Sequence, residues 1–136
     1  MKVVLDTNLW LSAWLWQGLP KELIELAKKG EVCSCTSLEI LQELKKVLSY
    51  RKLQKRLAIL SLTSEDILIG MQEIFVIFPI QPLEVPELRD PKDAMVLATA
   101  IASQADAIIS GDSDLFILET YQNIPILTAK QFLDSL

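Results

Sequence analysis

The sequence predicts an α/β fold, specifically a three-layer α/β/α sandwich with a mostly parallel central sheet. Short apolar runs rich in β-branched residues alternate with longer segments of helical periodicity. The apolar runs show little polar alternation, which is typical of strands that helices cover on both faces. Alternating strands and helices favour parallel connections within one sheet. No internal repeat is present.

In the first part of the chain, strands are predicted at residues 2–5, 32–36 and 75–78. Helices are predicted at residues 8–16, 20–30, 37–50 and 51–60, and a further helix opens at residues 64–66. Pro20 suits the first turn of its helix and Gly30 ends that helix. Ser37 has the chemistry of an N-cap.

The second part begins with a loop at residues 81–89, where Pro82 and Pro86 exclude regular structure. A strong helix starts at Asp90 and runs to Gln104. Strands follow at residues 107–110 and 124–127, and a short helix closes the chain at residues 130–136. Because Pro125 has no backbone N–H to donate, we expect its strand at an edge of the sheet.

Length and composition predict one globular domain over residues 1–136. The chain is 51% hydrophobic and 23% charged, which is typical of a folded protein with a real core. No apolar run approaches the roughly 18 residues that span a bilayer, and the opening strand is too short for the core of a signal peptide. We therefore expect a cytoplasmic protein with no membrane partner.

The two cysteines, Cys33 and Cys35, do not predict a zinc site. They lie two residues apart on a predicted strand and so face the same side. A zinc site needs about four ligands, and the chain has no histidine and no further cysteine. We interpret both as small buried apolar side chains.

Two acids directly follow predicted buried strands. Asp6 comes after residues 3–5, and Asp112 follows residues 107–110 through Gly111, which permits a tight turn. Ligands of open α/β sheets bind at the carboxyl ends of strands. Carboxylates gathered there repel each other unless a divalent cation joins them. The pattern therefore indicates a metal-dependent hydrolase of phosphate esters.

The candidate aspartates also have structural explanations. Asp6 could cap the following helix, although the end of a buried strand is a costly place for an unpaired carboxylate. Asp90 suits an N-cap, and Asp93 at the third helical position is favoured by the helix dipole. One of Asp112 and Asp114 could cap the short segment that follows them.

Glu43 is a candidate because of its position on a helix. It falls at the border between the apolar and polar faces of the helix predicted at residues 37–50. A side chain at this border could reach over the edge of a cleft, whereas Glu39 points further into solvent.

Four segments in order resemble the motifs of the PIN-domain family of ribonucleases, specifically the bacterial PIN proteins assigned as toxins of toxin–antitoxin pairs. The resembling segments are residues 5–8, 37–48, 90–98 and 110–115, and residues 126–133 resemble this subfamily's C-terminus. Each motif alone is weakly specific, but four in the right order cover nearly the whole chain. Ser110 departs from the threonine that the family often has.

The resemblance implies four catalytic and metal-binding acids and one supporting ligand: Asp6, Glu43, Asp93 and Asp112, with Asp114. We expect three further residues to orient these ligands: Asn8, Ser110 and Asp90. The implied cofactor is one or two Mg²⁺ or Mn²⁺ ions, hard cations that suit oxygen ligands. The resemblance also implies a single-stranded RNA substrate, a small antitoxin protein and a homodimer.

The formal charge of −5 is an unpromising balance for a nucleic-acid binder. Removing the four candidate metal-binding acids from this count leaves −1. Basic residues cluster on the helices that follow Ser37, and four of them could contact a phosphate backbone: Lys45, Lys46, Arg51 and Lys52. The alternative is a solvated helix face without a nucleic-acid role.

Two other functions remain open from the sequence. Haloacid-dehalogenase and receiver-like proteins also place an acid after the first strand, but those phosphatases have a second acid where this chain has Asn8. A non-catalytic binding module is the other alternative, with Trp10 and Trp14 as an exposed patch for a partner or a base, although such a pair is more often core. The absence of histidine excludes histidine acid–base nucleases and Ser-His-Asp hydrolases.

Overall fold

A six-stranded sheet forms the centre of the computed structural model, which describes residues 1–16 and 18–136. The strands are β1 Lys2–Leu5, β2 Cys33–Thr36, β3 Phe75–Ile77, β4 Ala107–Ile109, β5 Thr120–Tyr121 and β6 Ile124–Leu127. Their order across the sheet is β3-β2-β1-β4-β6-β5. All neighbouring strands are parallel except the antiparallel pair β5 and β6. The mostly parallel sheet is therefore confirmed.

Eight helices lie between and after the strands within the described residues. They are α1 Thr7–Leu15, α2 Leu19–Lys28, α3 Leu38–Leu48, α4 Arg51–Ile59, α5 Ser64–Gln72, α6 Pro91–Ser103, α7 Ser113–Phe116 and α8 Ala129–Asp134. In this part of the chain, no helix is both long enough and apolar enough to cross a membrane.

Helices cover both faces of the sheet. Successive residues of a strand point to opposite faces, yet Val3, Val4 and Leu5 of β1 are all at most 2% exposed. The three residues of β4 are buried in the same way. Helix α6 packs on β1, β2 and β4, while α8 packs on β6 and against α2. The three-layer α/β/α sandwich is therefore confirmed.

The direction in which strands are added to the sheet changes between β1 and β4. From β1 the chain adds β2 and β3 on one side, and β4 and β6 then follow on the other side. Leu5 is aligned with Ile109, and the backbone N–H of Asp6 donates to the carbonyl of Ile109 at 3.2 Å. The residues after these two strands therefore leave the sheet side by side. A crevice at such a switch point is where α/β sheets bind ligands.

The helices that carry Glu43 and Asp93 begin where the sequence predicts. The hydroxyl of Ser37 accepts from the N–H of Ile40 and caps α3. Asp90 caps α6, with Pro91 at its first position. The two helices are also joined, because Oγ1 of Thr99 on α6 lies 3.0 Å from Oγ of Ser37. This contact ties the start of α3, the helix of Glu43, to α6, the helix of Asp93.

The expected edge position of Pro125 is wrong. The two-residue strand β5 pairs outside β6, with Thr120 aligned to Pro125. The chain can fold back this tightly because Gln122 and Asn123 both adopt positive φ, at 49° and 68°. Strand β5 was not predicted, since two residues carry no detectable periodicity.

The tryptophans of α1 do not form an exposed patch. Trp10 is 1% exposed and packs edge-to-face on Phe75, with ring centroids 4.3 Å apart. Trp14 is partly buried against the core. A Cβ atom at Gly70 would lie 2.8 Å from Cη2 of Trp14, so glycine there gives the indole its space. Trp10 is therefore confirmed as a core residue, and Trp14 packs against the core with part of its surface exposed.

The cysteines lie on β2 as expected. Cys35 is buried and Cys33 partly buried, and their Sγ atoms are 4.0 Å apart. Burial raises the pKa of Cys35 to about 11, so its thiol stays protonated and apolar at neutral pH.

Candidate metal centre and cleft

Three aspartates form a compact cluster at the carboxyl end of β4. Asp93, Asp112 and Asp114 each place one carboxylate oxygen within 4.8 Å of the others'. Asp93 comes from the first turn of α6, and the other two come from the loop and short helix after β4. Such spacing matches oxygens that share one divalent ion, each about 2.0–2.6 Å from it.

Asp93 is the buried carboxylate of the cluster. It is 8% exposed, and its Oδ2 has no hydrogen-bond partner among the described residues. Burial, followed by the charges of Asp112 and Asp90, raises its pKa to about 6. A buried carboxylate oxygen without a partner is costly. Its environment therefore suits a bound cation.

Asp112 has the capping role expected for one of the pair after β4. Its Oδ1 accepts from the N–H of Asp114 at 2.9 Å, and it is the N-cap of α7. Its own N–H donates to Oγ of Ser110 at 2.9 Å. These two bonds hold the loop so that Asp112 faces Asp93. The carboxylate of Asp112 therefore both caps α7 and belongs to the aspartate cluster.

Asp6 lies beside this cluster with both carboxylate oxygens engaged. Oδ1 accepts from the N–H of Leu9 at 2.8 Å and caps α1. Oδ2 accepts from the hydroxyl of Ser110. Burial raises the pKa of Asp6 despite these bonds, and the charge of Asp112 adds to the rise. Ser110 thus contacts both Asp6 and the backbone of Asp112.

Glu43 faces the same space from α3. Its Oε1 forms an ion pair with Nζ of Lys92 at 3.0 Å, with the Glu43 side chain 10% exposed and that of Lys92 46% exposed. The hydrogen bond and charge of Glu43 raise the pKa of Lys92. The border position predicted for Glu43 on its helix therefore does bring it to the cleft.

A cleft of about 590 Å³ opens over these groups. Its lining includes most of the predicted acids and orienting residues: Asp6, Asn8, Glu43, Asp90, Asp93 and Asp112. Asp114 belongs to the cluster but not to the lining. Of the four predicted RNA-contacting residues only Lys52 lines the cleft, whereas Lys45, Lys46 and Arg51 are exposed outside its lining.

The family model of the PIN domain matches residues 2–114, a span that contains every candidate acid described above. The chain belongs to the PIN-domain family. This assignment replaces the haloacid-dehalogenase or receiver-like alternative. No match to a curated protein is found.

A solved structure has the same fold as this PIN domain. It is the crystal structure of VapBC2 from Rickettsia felis bound to a DNA fragment from their promoter. One of its chains superposes with a TM-score of 0.62 at 16% sequence identity, covering 93% of the present chain and 97% of that chain. At this identity the likeness shows the fold alone.

Several residues that line the PIN-domain cleft were not foreseen from the sequence, among them Trp16, Tyr50 and Lys92. Lys92 lies between Asp90 and Asp93 in the first turn of α6, where the helix dipole disfavours a cation. A lysine at this position was therefore a signal in the sequence that a nearby acid pairs with it. Trp16 falls within the helix predicted at residues 8–16, but α1 ends at Leu15 and Trp16 is its C-cap residue.

The charges of the cleft suit a cation together with an anionic substrate. The acids converge at the carboxyl ends of β1 and β4, while Lys52 and Lys92 are the basic residues of the lining. A divalent ion would neutralise the carboxylates and allow a phosphate to approach. The arrangement is therefore chemically suited to phosphodiester hydrolysis.

Proposed function

We propose that this PIN domain is a Mg²⁺- or Mn²⁺-dependent endoribonuclease that cleaves phosphodiesters of single-stranded RNA. The observation that carries the proposal is the cluster of Asp93, Asp112 and Asp114, together with the buried Oδ2 of Asp93 that has no partner among the described residues. Such an oxygen is stabilised by a cation and destabilised without one.

The donor set fits a hard cation. All the acids near the cleft offer oxygen, and neither cysteine lines the cleft. Carboxylate oxygens are the ligands that Mg²⁺ and Mn²⁺ prefer. Asp93, Asp112 and Asp114 would hold the ion directly, and Asp6 and Glu43 complete the acid set. One or two ions fit this number of acids.

The chemistry that the ion supplies when bound is activation of a water for in-line attack and stabilisation of charge on the leaving oxygen. The chain's own residues provide the positioning. Ser110 holds Asp6 and the backbone of Asp112 in one arrangement. Lys92 and Lys52 carry positive charge to the cleft and would contact the substrate's phosphates.

Cleavage of a labelled, unstructured RNA by the purified protein tests the proposal. Cleavage should require Mn²⁺ or Mg²⁺ and stop with EDTA. Asp112→Asn and Asp93→Asn should each lose about 100-fold or more of the activity, since a metal ligand supports several kcal/mol of transition-state stabilisation. Asp134→Asn is the matched control, because Asp134 is exposed and pairs only with Lys130 within the described residues.

Full activity in Asp112→Asn, or no cleavage by the wild-type protein with either ion, would contradict the proposal. Binding of Mn²⁺ without cleavage would instead favour the non-catalytic PIN module. One observation favours that second candidate: the ammonium of Lys92 pairs with Glu43, so the charge of this acid is balanced without an ion.

We further propose that the protein acts in the cytoplasm as the toxin of a toxin–antitoxin pair, with a small antitoxin partner and a homodimeric form. The support is the fold shared with a chain of the VapBC2 structure. Expression of the wild-type protein should arrest growth, and Asp112→Asn should not. A protein encoded beside this gene should relieve the arrest and co-purify with the PIN domain. Arrest that persists with Asp112→Asn would argue against a nuclease toxin.

A further inference from the structure

Two exposed aromatic side chains line the same cleft as the acids. Trp16 is 38% exposed and Tyr50 is 46% exposed, and both lie in the cleft lining with Asp6, Glu43 and Lys52. Large aromatic rings are usually withdrawn from water. Beside a candidate phosphodiesterase centre, two such rings offer flat apolar surfaces on which a ligand with an aromatic face could stack.

The ring of Trp16 is held in place rather than loosely exposed. Its backbone N–H donates to the carbonyl of Ser12 at 3.0 Å. The guanidinium of Arg56 lies 5.3 Å from the ring centroid, and Nε of Arg56 donates to the carbonyl of Leu15 at 2.9 Å. A cation at this distance interacts favourably with the indole. Trp16 also lines a second, smaller cavity of about 190 Å³ that Arg56 shares.

Tyr50 is presented by the junction of two helices. It is the N-cap residue of α4, two residues after the end of α3, and its carbonyl accepts from the N–H groups of Leu53 and Gln54 at 3.0 Å. Its backbone is therefore fixed while its side chain reaches the cleft. Lys52 follows two residues later and lines the same cleft.

We infer that Trp16 and Tyr50 form a stacking subsite for the base of an unpaired nucleotide next to the cleaved phosphodiester. This inference rests on the proposed nuclease function. Every base has an aromatic face, so stacking on such rings is tolerant of sequence, whereas a base inside a duplex has no free face to offer. Lys52 and Lys92 supply positive charge for the adjoining phosphates. The subsite would select single strands over duplexes.

A double-mutant cycle between a side chain and a base tests the subsite. Cleavage kinetics are measured with Mn²⁺ on one RNA and on copies that carry an abasic ribose at each nucleotide flanking the cleaved bond. Trp16→Leu and Tyr50→Leu should lower kcat/KM on the intact RNA by roughly 5- to 150-fold, mainly through KM, as expected for one lost stacked base. On the RNA that lacks the stacked base, the same substitutions should have little further effect.

The controls separate stacking from folding. Trp16→Phe and Tyr50→Phe keep a ring and should retain most of the activity. Ile59→Ala, which removes a 73% exposed apolar side chain of α4 outside the cleft lining, should behave as wild type. The inference is overturned if neither leucine variant shows coupling to a flanking base, including the case in which each loses the same factor on intact and abasic RNA.

A binding measurement makes failure of the subsite distinguishable from failure of the nuclease. Trp16 is the exposed member of the three tryptophans, since Trp10 is buried and Trp14 partly so. A single-stranded oligonucleotide should quench the fluorescence of the wild-type protein and leave Trp16→Phe nearly unchanged. Quenching without any cleavage would sink the nuclease but keep the subsite. Cleavage with neither quenching nor coupling would overturn the subsite but keep the nuclease function.

Discussion

The ammonium of Lys92 lies 3.0 Å from Oε1 of Glu43, and this ion pair joins the start of α6 to the middle of α3. The Glu43 side chain is nearly buried at 10% exposure, whereas Lys92 is half exposed. The pair therefore balances the charge of Glu43 at the border of the cleft. A divalent ion that used Glu43 as a ligand would have to compete with this lysine.

Replacement of Lys92 should therefore strengthen metal binding. In Lys92→Met the apolar stem is kept, but the competing charge is lost and Glu43 is free to approach an ion. We expect the dissociation constant for Mn²⁺, measured by calorimetry, to fall by about twofold to fivefold, the range for a solvent-exposed ion pair. Lys45→Met is the control, because Lys45 is exposed on the same helix as Glu43 but outside the cleft lining. Unchanged or weaker binding in Lys92→Met would contradict the competition.

The hydroxyl of Ser110 should be important for both stability and activity. Ser110→Ala would leave Oδ2 of Asp6 and the N–H of Asp112 without this partner. We expect a loss of about 1–3 kcal/mol in the free energy of unfolding, measured with denaturant, and a large fall in cleavage. Ser110→Thr keeps the hydroxyl and should retain both properties.

Ser34→Ala provides a matched control for that loss. Ser34 is also buried, but its Oγ has no hydrogen-bond partner among the described residues. Its removal should be neutral or slightly stabilising, because no bond is lost. Equal destabilisation by Ser110→Ala and Ser34→Ala would show that the Ser110 bonds contribute nothing specific.

Asp93→Asn should stabilise the protein in EDTA while weakening its response to Mn²⁺. The neutral amide removes a carboxylate whose pKa is raised to about 6 by burial and by neighbouring acids. We expect the free energy of unfolding to rise by about 1 kcal/mol. This is less than the pKa shift alone would imply, because solvent in the cleft screens the charge. Thermal melts with and without millimolar Mn²⁺ measure both effects. A variant that is less stable in EDTA, or that is stabilised by Mn²⁺ as strongly as wild type, would oppose this role.

The same carboxylate predicts a dependence of stability on pH. Its pKa is raised from 3.8 to about 6 in the folded protein, so between these values the folded state keeps a proton that the unfolded chain has released. The contribution of Asp93 to the free energy of unfolding therefore falls as pH rises through this window. The stability advantage of Asp93→Asn over wild type in EDTA should be small near pH 3.5, grow through the window between the two pKa values and be largest above pH 6.5. A stability advantage of Asp93→Asn that does not change with pH would contradict the raised pKa of Asp93.

Much of the fold was predictable because the central strands are short runs of buried apolar residues. In β1 and β4 such runs end directly before an acid-containing turn, and the alternation with helices specifies parallel pairing. The edge was not predictable. Strand β5 has two residues and depends on the positive φ angles of Gln122 and Asn123, which are not glycines. Local propensity does not identify such a turn, so Pro125 was placed wrongly at the edge.

The acids could be predicted from their positions after strands and on helix faces, but their partners could not. The pairing of Lys92 with Glu43 joins residues far apart in sequence and depends on how α6 packs against α3. Trp16 lines the cleft from just beyond the end of α1. The carbonyl of Leu15 at this helix end accepts from Nε of Arg56, and a contact between residues so far apart in the sequence cannot be predicted from a local pattern.

The most direct test of a shared metal centre is the anomalous scattering of Mn²⁺ in crystals grown with the ion. We expect a peak within coordination distance of Asp93 and Asp112, with Asp114 nearby and with Asp6 and Glu43 bordering the same cleft. Crystals that show no anomalous peak in the cleft at millimolar Mn²⁺, or a peak only at surface acids such as Asp134, would contradict it.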